Sequence, residues 1–228
     1  MPANITRPSL KPYGVYPVHD ILTKASLKFP DKTAIIDGDN SYTFSELQEY
    51  SSQFSGALKT LGVSKGDRVG ILAPNCAEFV IAFHGISRSG AIVSPLNSGY
   101  REREIAHQVQ DSGCKILVVH ESLSEILDEA KKLIENEVRS IAITSNKATR
   151  GSFWELLGQS EAYTATNIDP ENDLAALPYS SGTTGLSKGV MLSHFNVVSN
   201  VEQIMGLSGG ASMREDDVIL VHLPLFHI

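Results

Sequence analysis

A run of hydroxyl, glycine and lysine residues lies between two apolar segments at residues 179–189, which read Tyr-Ser-Ser-Gly-Thr-Thr-Gly-Leu-Ser-Lys-Gly. Glycine lets the backbone turn with positive φ and come close to an anion, while N–H groups and hydroxyls donate to phosphoryl oxygens. The ammonium of Lys188 supplies compensating charge. This segment, called the phosphate loop below, is therefore predicted to bind the phosphates of a nucleotide.

The spacing of the phosphate loop differs from two better-known phosphate-binding patterns. Gly182, Gly185 and Lys188 follow one another at intervals of three, whereas the Walker pattern places lysine directly after its last glycine. No glycine stands two residues before Gly182, so the G-x-G-x-x-G dinucleotide pattern is also absent. A Ser/Gly surface turn is the alternative for a short piece of the loop. The full string, between Pro178 and the β-like residues 190–192, favours phosphate binding.

The phosphate loop and its surroundings resemble the signature of the adenylate-forming superfamily, which includes acyl-CoA synthetases, luciferases and the adenylation domains of peptide synthetases. Residues 176–194 look most like the 4-coumarate:CoA ligase branch. Shorter matches extend along the chain at 42–44, 66–69, 75–79, 90–97 and 223–227. Ser187 departs from the pattern, because the family usually has proline there; the loop loses a φ restraint and gains a hydroxyl.

The resemblance implies an ATP-dependent carboxylate:CoA ligase, an acid-thiol ligase. In such an enzyme a carboxylate attacks the α-phosphorus of ATP to give acyl-AMP and pyrophosphate, and coenzyme A then takes the acyl group. Loop donors hold the departing pyrophosphate in line while Mg²⁺ shares its charge. The resemblance assigns ATP binding to six residues and a catalytic role to the lysine among them: Ser180, Ser181, Gly182, Thr183, Thr184 and Lys188.

Histidines are assigned more sparingly. A histidine beside Phe226 is commonly a packed residue, but the Pro-Leu-Phe-His match implies that His227 lines the acyl pocket and binds the substrate. Because a carboxylate is already ionised at neutral pH, His227 is expected to position it and not to act as a general base. His194 is expected to be structural. The remaining histidines considered, at 84, 107, 120 and 222, follow no metal-ligand spacing, so no metal site is predicted.

Composition sets the class of protein. A chain of 228 residues with 42% hydrophobic and 20% charged residues is typical of a globular protein, and a net charge of −7 argues against nucleic acid as a partner. Cys76 and Cys114 lie outside any C-x-x-C pattern, which favours a reducing compartment. The N-terminus has no apolar signal core, and no apolar run reaches the roughly 18 residues that span a bilayer. The predicted location is the cytoplasm; a peroxisomal address would lie at a C-terminus that this chain is expected to lack.

Apolar strand-like runs alternate with helical patterns, which predicts an α/β fold with layered, largely parallel sheets flanked by helices. Helices are predicted from Asn75 to about Gly90, from a Ser122 capping box, and from Ser193 with Val197, Val198, Val201, Ile204 and Met205 buried. The polar segment 146–172 is predicted to be a surface excursion. Buried strands are predicted at 33–36, 68–72, 91–93, 115–119, 140–143, 174–177 and 218–221.

Residues 1–228 are expected to form an incomplete N-terminal AMP-binding domain, because the family's later adenine, ribose and magnesium motifs and its small C-terminal domain are absent. Such a fragment is expected to be inactive alone. Luciferase-like oxygenases and carrier-protein adenylation domains share these motifs, and a non-catalytic nucleotide- or acyl-binding module is a further alternative. A serine-nucleophile enzyme is disfavoured because no Gly-x-Ser-x-Gly elbow is present. The carboxylic acid and the oligomeric state stay open.

Overall fold

The computed structural model describes residues 12–163, 165–180, 186–207 and 216–227, and these residues form seven α-helices and ten β-strands. The helices are α1 (His19–Lys28), α2 (Phe44–Thr60), α3 (Ala77–Ser89), α4 (Glu102–Ser112), α5 (Ser124–Lys131), α6 (Phe153–Gly158) and α7 (His194–Leu207), and a 3₁₀ turn covers Glu121–Leu123. The strands are β1 (Thr33–Asp37), β2 (Asn40–Thr43), β3 (Arg68–Leu72), β4 (Ile92–Leu96), β5 (Cys114–His120), β6 (Arg139–Ile143), β7 (Leu174–Ala176), β8 (Tyr179–Ser180), β9 (Lys188–Gly189) and β10 (Leu192–Ser193).

A six-stranded sheet forms the centre of the fold, with the strand order β10-β7-β4-β3-β5-β6. The five strands from β7 to β6 are parallel, and β10 is antiparallel at one edge. Neighbouring residues of β3 point to opposite faces, and both faces are buried: Ile71 packs with α2, α3 and α6, whereas Leu72 packs with α4 and α5. The predicted α/β fold with a largely parallel, helix-flanked sheet is confirmed.

Two of the predicted strands differ in the structure. The run 33–36 does not join the parallel sheet; it belongs to β1, which pairs antiparallel with β2 in a separate two-stranded sheet and leaves Ile36 67% exposed. The run 218–221 forms no strand, and its side chains are exposed, because no strand among the described residues pairs with it. Both runs have the composition of a strand and lack a partner in the central sheet.

The helix starts show which capping predictions hold. Ser193 caps α7 as predicted, since its Oγ accepts from the N–H of Asn196 at 3.2 Å. Gly90, with φ of 79°, ends α3 as predicted. The Ser122 box is wrong: Nδ1 of His120 accepts from the Ser122 N–H, and α5 begins two residues later at Ser124.

Helix α7 is less buried than its apolar pattern predicts. Val198 is fully buried and Val197 half-buried, as expected. By contrast Val201, Ile204 and Met205 are 36%, 52% and 51% exposed. The apolar side chains in the N-terminal half of this helix pack into the core, whereas those in its second half stay exposed.

The segment 146–172 contains a buried anchor that its polar composition hides. Phe153, the first residue of α6, is 0% exposed and packs against Phe54 of α2 with ring centroids 4.8 Å apart. The next residue, Trp154, stacks on Tyr42 and donates through Nε1 to Glu78 at 2.9 Å. The prediction of a plain surface excursion is therefore wrong for α6.

An N-terminal strap, residues 14–18, crosses α7 and holds it to the body of the fold. The N–H of Gly14 and the hydroxyl of Tyr16 donate to the two carboxylate oxygens of Glu202, at 2.9 and 3.1 Å. The N–H of Val18 donates to Nδ1 of buried His194 at 3.1 Å. His194 thus has the structural role predicted for it, and its partner comes from a segment 176 residues away.

Candidate functional site

A cleft of about 540 Å³ opens at the carboxyl ends of the parallel strands β4 and β7. Pro95 and Asn97 line it where β4 ends, and the residues that follow β7, Pro178 to Ser180, form the opposite wall. Ligands of open α/β sheets bind in crevices outside the carboxyl ends of the strands. The position of the cleft is therefore that of a binding site.

The two ends of the phosphate loop form a short hairpin beside this cleft. Strands β8 and β9 pair antiparallel, with Tyr179 opposite Gly189 and Ser180 opposite Lys188. A further bond, from the Val190 N–H to the Pro178 carbonyl at 2.8 Å, closes the base of the hairpin. The two ends of the loop are thereby brought together.

The assigned ATP-binding residues are placed unevenly. Ser180 lines the cleft, and Lys188, exposed, lies opposite it across the hairpin without lining the cleft itself. Ser181, Gly182, Thr183 and Thr184 lie outside the described residues, so their contacts with ATP stay predictions. The structure brings the first and last of the assigned residues to one hairpin beside one cleft.

His227 lines the same cleft as Ser180, together with Phe226. Its imidazole is exposed, and its backbone N–H donates to the Pro224 carbonyl at 3.1 Å. The residue predicted to bind the carboxylic acid and a residue predicted to bind ATP therefore face one cavity, although they lie far apart in the sequence.

Asn75 fixes the segment that carries His227. Its side-chain Nδ2 donates to the carbonyl of Leu223 at 2.8 Å and, more weakly, to that of Val221 at 3.3 Å. Its Oδ1 accepts from the N–H of Leu225 at 2.8 Å. Sequence reasoning placed Asn75 at a helix cap; instead α3 begins at Ala77, whose N–H donates to Asp37 at 2.9 Å. Asn75 is a positioning residue that only the tertiary structure shows.

Helix α7 contributes polar lining that the sequence analysis did not assign. Asn196 and Asn200 lie four residues apart on the helix that follows the phosphate loop, and both line the cleft with Val197. Spacing of i and i+4 puts side chains on one helix face, so this pair was visible in the sequence once the helix was recognised. The cleft thus combines amide groups with the apolar surfaces of Val190 and Phe226.

The described part of the chain has neither a cluster of metal ligands nor a membrane-spanning helix. Within it, no group of three or more His, Cys, Asp or Glu side chains could hold a metal ion. No helix among the described residues is long and apolar enough to cross a bilayer. Cys76 and Cys114 are both free thiols, the first partly exposed and the second buried.

Comparison with known proteins gives the family. The profile of the AMP-binding enzyme family matches residues 22–228. A 4-coumarate–CoA ligase from Pinus taeda is 39% identical over 219 residues, which cover 93% of this chain and 40% of the relative. A second one, from Solanum tuberosum, is 37% identical over 217 residues, covering 93% and 39%. The chain spans about 40% of the length of these curated relatives.

Solved structures agree. The crystal structure of a long-chain-fatty-acid-CoA ligase from Archaeoglobus fulgidus superimposes with a TM-score of 0.86 and 31% identity, covering 98% of this chain and 45% of that one. An anthranilate CoA ligase in complex with anthranoyl-AMP gives a TM-score of 0.73 and 29% identity, covering 79% and 35%. By its family profile and its relatives, the chain belongs to the AMP-binding enzyme family.

Proposed function

We propose that this chain provides the phosphate-binding side of an ATP-dependent carboxylate:CoA ligase, which forms acyl-AMP and pyrophosphate and then acyl-CoA. One observation carries the proposal: the cleft at the ends of β4 and β7 is lined by both Ser180 of the phosphate loop and His227. An enzyme that joins a carboxylate to ATP needs the two reactants side by side, and this cleft offers a position for each.

Within this proposal Lys188 neutralises the charge that develops on the departing pyrophosphate, and the loop hydroxyls and N–H groups hold its oxygens. Ser180, Ser181, Gly182, Thr183 and Thr184 supply those donors. His227 orients the carboxylate of the acid. The amide and apolar groups of the cleft suit a ligand that is polar at one end and apolar at the other. The acid is a small-molecule carboxylate, aromatic or aliphatic.

Mg²⁺ and coenzyme A complete the proposed reaction. The described residues do not fit a protein-held metal centre, since no cluster of three ligating side chains occurs among them. Mg²⁺ is therefore assigned to the ATP phosphates and takes no step in the roles given to this chain's residues. Coenzyme A is the co-substrate of the second half-reaction, a role supported by the names of the relatives.

We also propose that residues 1–228 are part of an N-terminal AMP-binding domain and do not complete the reaction alone, since they match only about 40% of the length of full relatives. The CoA-ligase names of those relatives support a ligase over a luciferase, an adenylation domain or a non-catalytic module. The net charge of −7 supports small-molecule partners over nucleic acid. Two free thiols support the cytoplasm as the location.

The test combines binding and chemistry. ATP is titrated against the 228-residue chain, its Lys188→Ala variant and the matched control Lys132→Ala, whose ammonium pairs with Glu129 on the exposed surface of α5. Lys188→Ala should weaken binding and Lys132→Ala should not. No ATP binding by the unaltered chain contradicts the proposal. Acyl-AMP formation by the 228 residues above the Lys188→Ala background contradicts their incompleteness.

Chemistry is measured on the longest natural polypeptide that contains the chain, with pyrophosphate release as the readout and a panel of aromatic, medium-chain and long-chain acids. Lys188→Ala should lower adenylation by about 10² or more, as when one preorganised charge donor is removed. Thioester formation from supplied acyl-AMP should suffer less. Equal losses in both half-reactions point to a folding defect and contradict the pyrophosphate role.

A further inference from the structure

Helix α4 touches both ends of the phosphate loop. The side chain of His107 bonds through Nε2 to the carbonyl of Ser187, near the end of the loop, at 2.9 Å. The hydroxyl of Tyr179, the first residue of the loop, donates to Asp111. His107 and Asp111 are one helical turn apart, so they present their side chains on one face of α4. One helix therefore holds two points near the two ends of the loop.

The chemistry of these contacts is specific. A carbonyl oxygen only accepts, so Nε2 of His107 carries a hydrogen and donates. The carboxylate of Asp111 accepts a hydrogen bond from the phenol. Burial of the Tyr179 ring raises the pKa of this side chain, and the bond to Asp111 raises it further. The rings of His107 and Tyr179 also meet edge to face, with centroids 6.3 Å apart and planes at 86°. The two contacts thus form one connected unit.

Helix α4 is itself fixed to the central sheet. On an adjacent face, Nε2 of buried Gln108 donates to Ser94 Oγ and to the Pro95 carbonyl, both at 3.0 Å. Ile105 and Val109 are buried in the core beneath. Since Pro95 also lines the cleft, α4 transmits the position of β4 directly to the hairpin.

The hairpin needs this support. Strands β8 and β9 contain two residues each, and an isolated two-stranded ladder of any length is marginal in water. Contacts that fix such a hairpin in advance reduce the conformational cost of binding an anion there. The two bonds from α4 hold the residues next to Ser180 and Lys188, and so fix the hairpin relative to this helix.

We propose, on the basis of the proposed function, that His107 and Asp111 are positioning residues that hold the phosphate loop in its ATP-binding geometry. The side chain of His107 bonds to Ser187 and that of Asp111 to Tyr179, so each acts through its loop partner and not by touching the nucleotide. Chains that lack one of these side chains keep the phosphate donors and bind ATP more weakly, because Ser187 or Tyr179 is then no longer held by α4.

The experiment pairs each truncation with a variant that retains the bond. His107→Ala and Asp111→Ala remove it, whereas His107→Gln keeps an N–H donor and Asp111→Asn keeps an oxygen acceptor. Gln110→Ala, at an exposed position of the same helix, is the matched control. ATP with Mg²⁺ is titrated against each chain, and amide hydrogen exchange of residues 186–190 is followed without ligand.

Each alanine variant should bind ATP about five- to tenfold more weakly, which corresponds to the loss of one intramolecular hydrogen bond. Exchange at 186–190 should be faster in both. The Gln and Asn variants should recover most of the affinity, and Gln110→Ala should match the unaltered chain. In a Tyr179→Phe background, Asp111→Ala should add no further loss, because the bond is already absent.

The outcomes separate the two proposals. If the unaltered chain binds no ATP, the proposed function fails and the role of α4 fails with it. If it binds ATP and both alanine variants bind equally well, only the positioning role is overturned. Unchanged exchange at 186–190, or no recovery in the Gln and Asn variants, also overturns that role, since either result shows that the bonds do not order the loop.

Discussion

Two buried histidines, His19 and His194, and the half-buried His84 should make the fold sensitive to mild acid. Burial lowers the pKa of His19 to about 3 and the pKa values of His84 and His194 to about 4. The nearby guanidinium of Arg88 adds to the lowering at His19 and His84. His194 also accepts a hydrogen bond from Val18 through Nδ1, which protonation of that nitrogen would remove. All three side chains are therefore neutral in the folded protein at neutral pH.

The size of the effect follows from proton linkage. The pKa of an unfolded histidine is about 6.5, so the unfolded chain binds more protons than the folded one as pH falls. The folded state is therefore most stable, as far as these groups decide, above about pH 6.5. It loses stability as the pH falls from there toward the folded pKa values. Lowering the pH from 7.5 to 5.5 should reduce the free energy of unfolding by about 1.4 kcal/mol for each histidine and by about 4 kcal/mol for all three. Because pH 5.5 lies well above all three folded pKa values, the figure depends little on their exact position.

The assay is urea unfolding at pH 7.5 and 5.5, followed through the fluorescence of Trp154, the single tryptophan of the sequence. His194→Asn places an oxygen acceptor near the Nδ1 position and removes the titrating group. Its pH dependence should be smaller by about 1.4 kcal/mol, the contribution of one histidine. His222→Asn, at an exposed position, should keep the full dependence. A loss below about 1 kcal/mol in the unaltered chain, or an equal loss in His194→Asn, refutes the reasoning.

Two further changes test the packing of α6 and the departure at the phosphate loop. Phe153→Ala removes a fully buried ring that packs on Phe54, and should lower the free energy of unfolding by about 3–5 kcal/mol. The control Leu27→Ala, at an exposed site, should lower it by less than about 0.5 kcal/mol. A small loss for Phe153→Ala would mean that α6 is not packed on α2. Ser187→Pro fixes φ and keeps the carbonyl that His107 bonds, so unfolding should cost about 0.4–1 kcal/mol more and ATP affinity should hold. Weaker ATP binding in both Ser187→Pro and Ser187→Ala would instead show that the serine itself contacts phosphate.

The central sheet could be predicted because its strands are apolar on both faces, as in β3 and β5, where every second side chain serves a different helix layer. The exception at β1 had a local signal. Asp37 and Gly38 precede Asn40, and Gly38 takes a φ of 57°, which is the turn chemistry of a hairpin. The apolar composition indicates a strand at 33–36, and the turn after it indicates that this strand pairs with the next one, β2, in a hairpin.

The candidate site was predictable only where its residues are contiguous. The phosphate loop is recognisable from eleven adjacent residues. By contrast Asn75 meets Leu223 across 148 positions, and His107 meets Ser187 across 80. An asparagine at a helix start and a histidine on a helix have ordinary local explanations, and no spacing rule links residues so far apart. These supporting contacts arise from the crossing of chain segments and need the folded structure.

The strap over α7 has a consequence for the order in which the chain matures. Gly14 leaves the ribosome 188 residues before its partner Glu202, an interval of about 10–40 s at 5–20 residues per second. Strands β3 to β6 are synthesised before that interval ends. Their part of the sheet can therefore assemble while residues 14–18 still lack their partner Glu202. The contacts of the strap with α7 therefore form late, only after α7 has been synthesised. Ribosome-bound chains stalled before residue 202 should be cleaved by protease near residues 14–18, and chains stalled well beyond it should be protected.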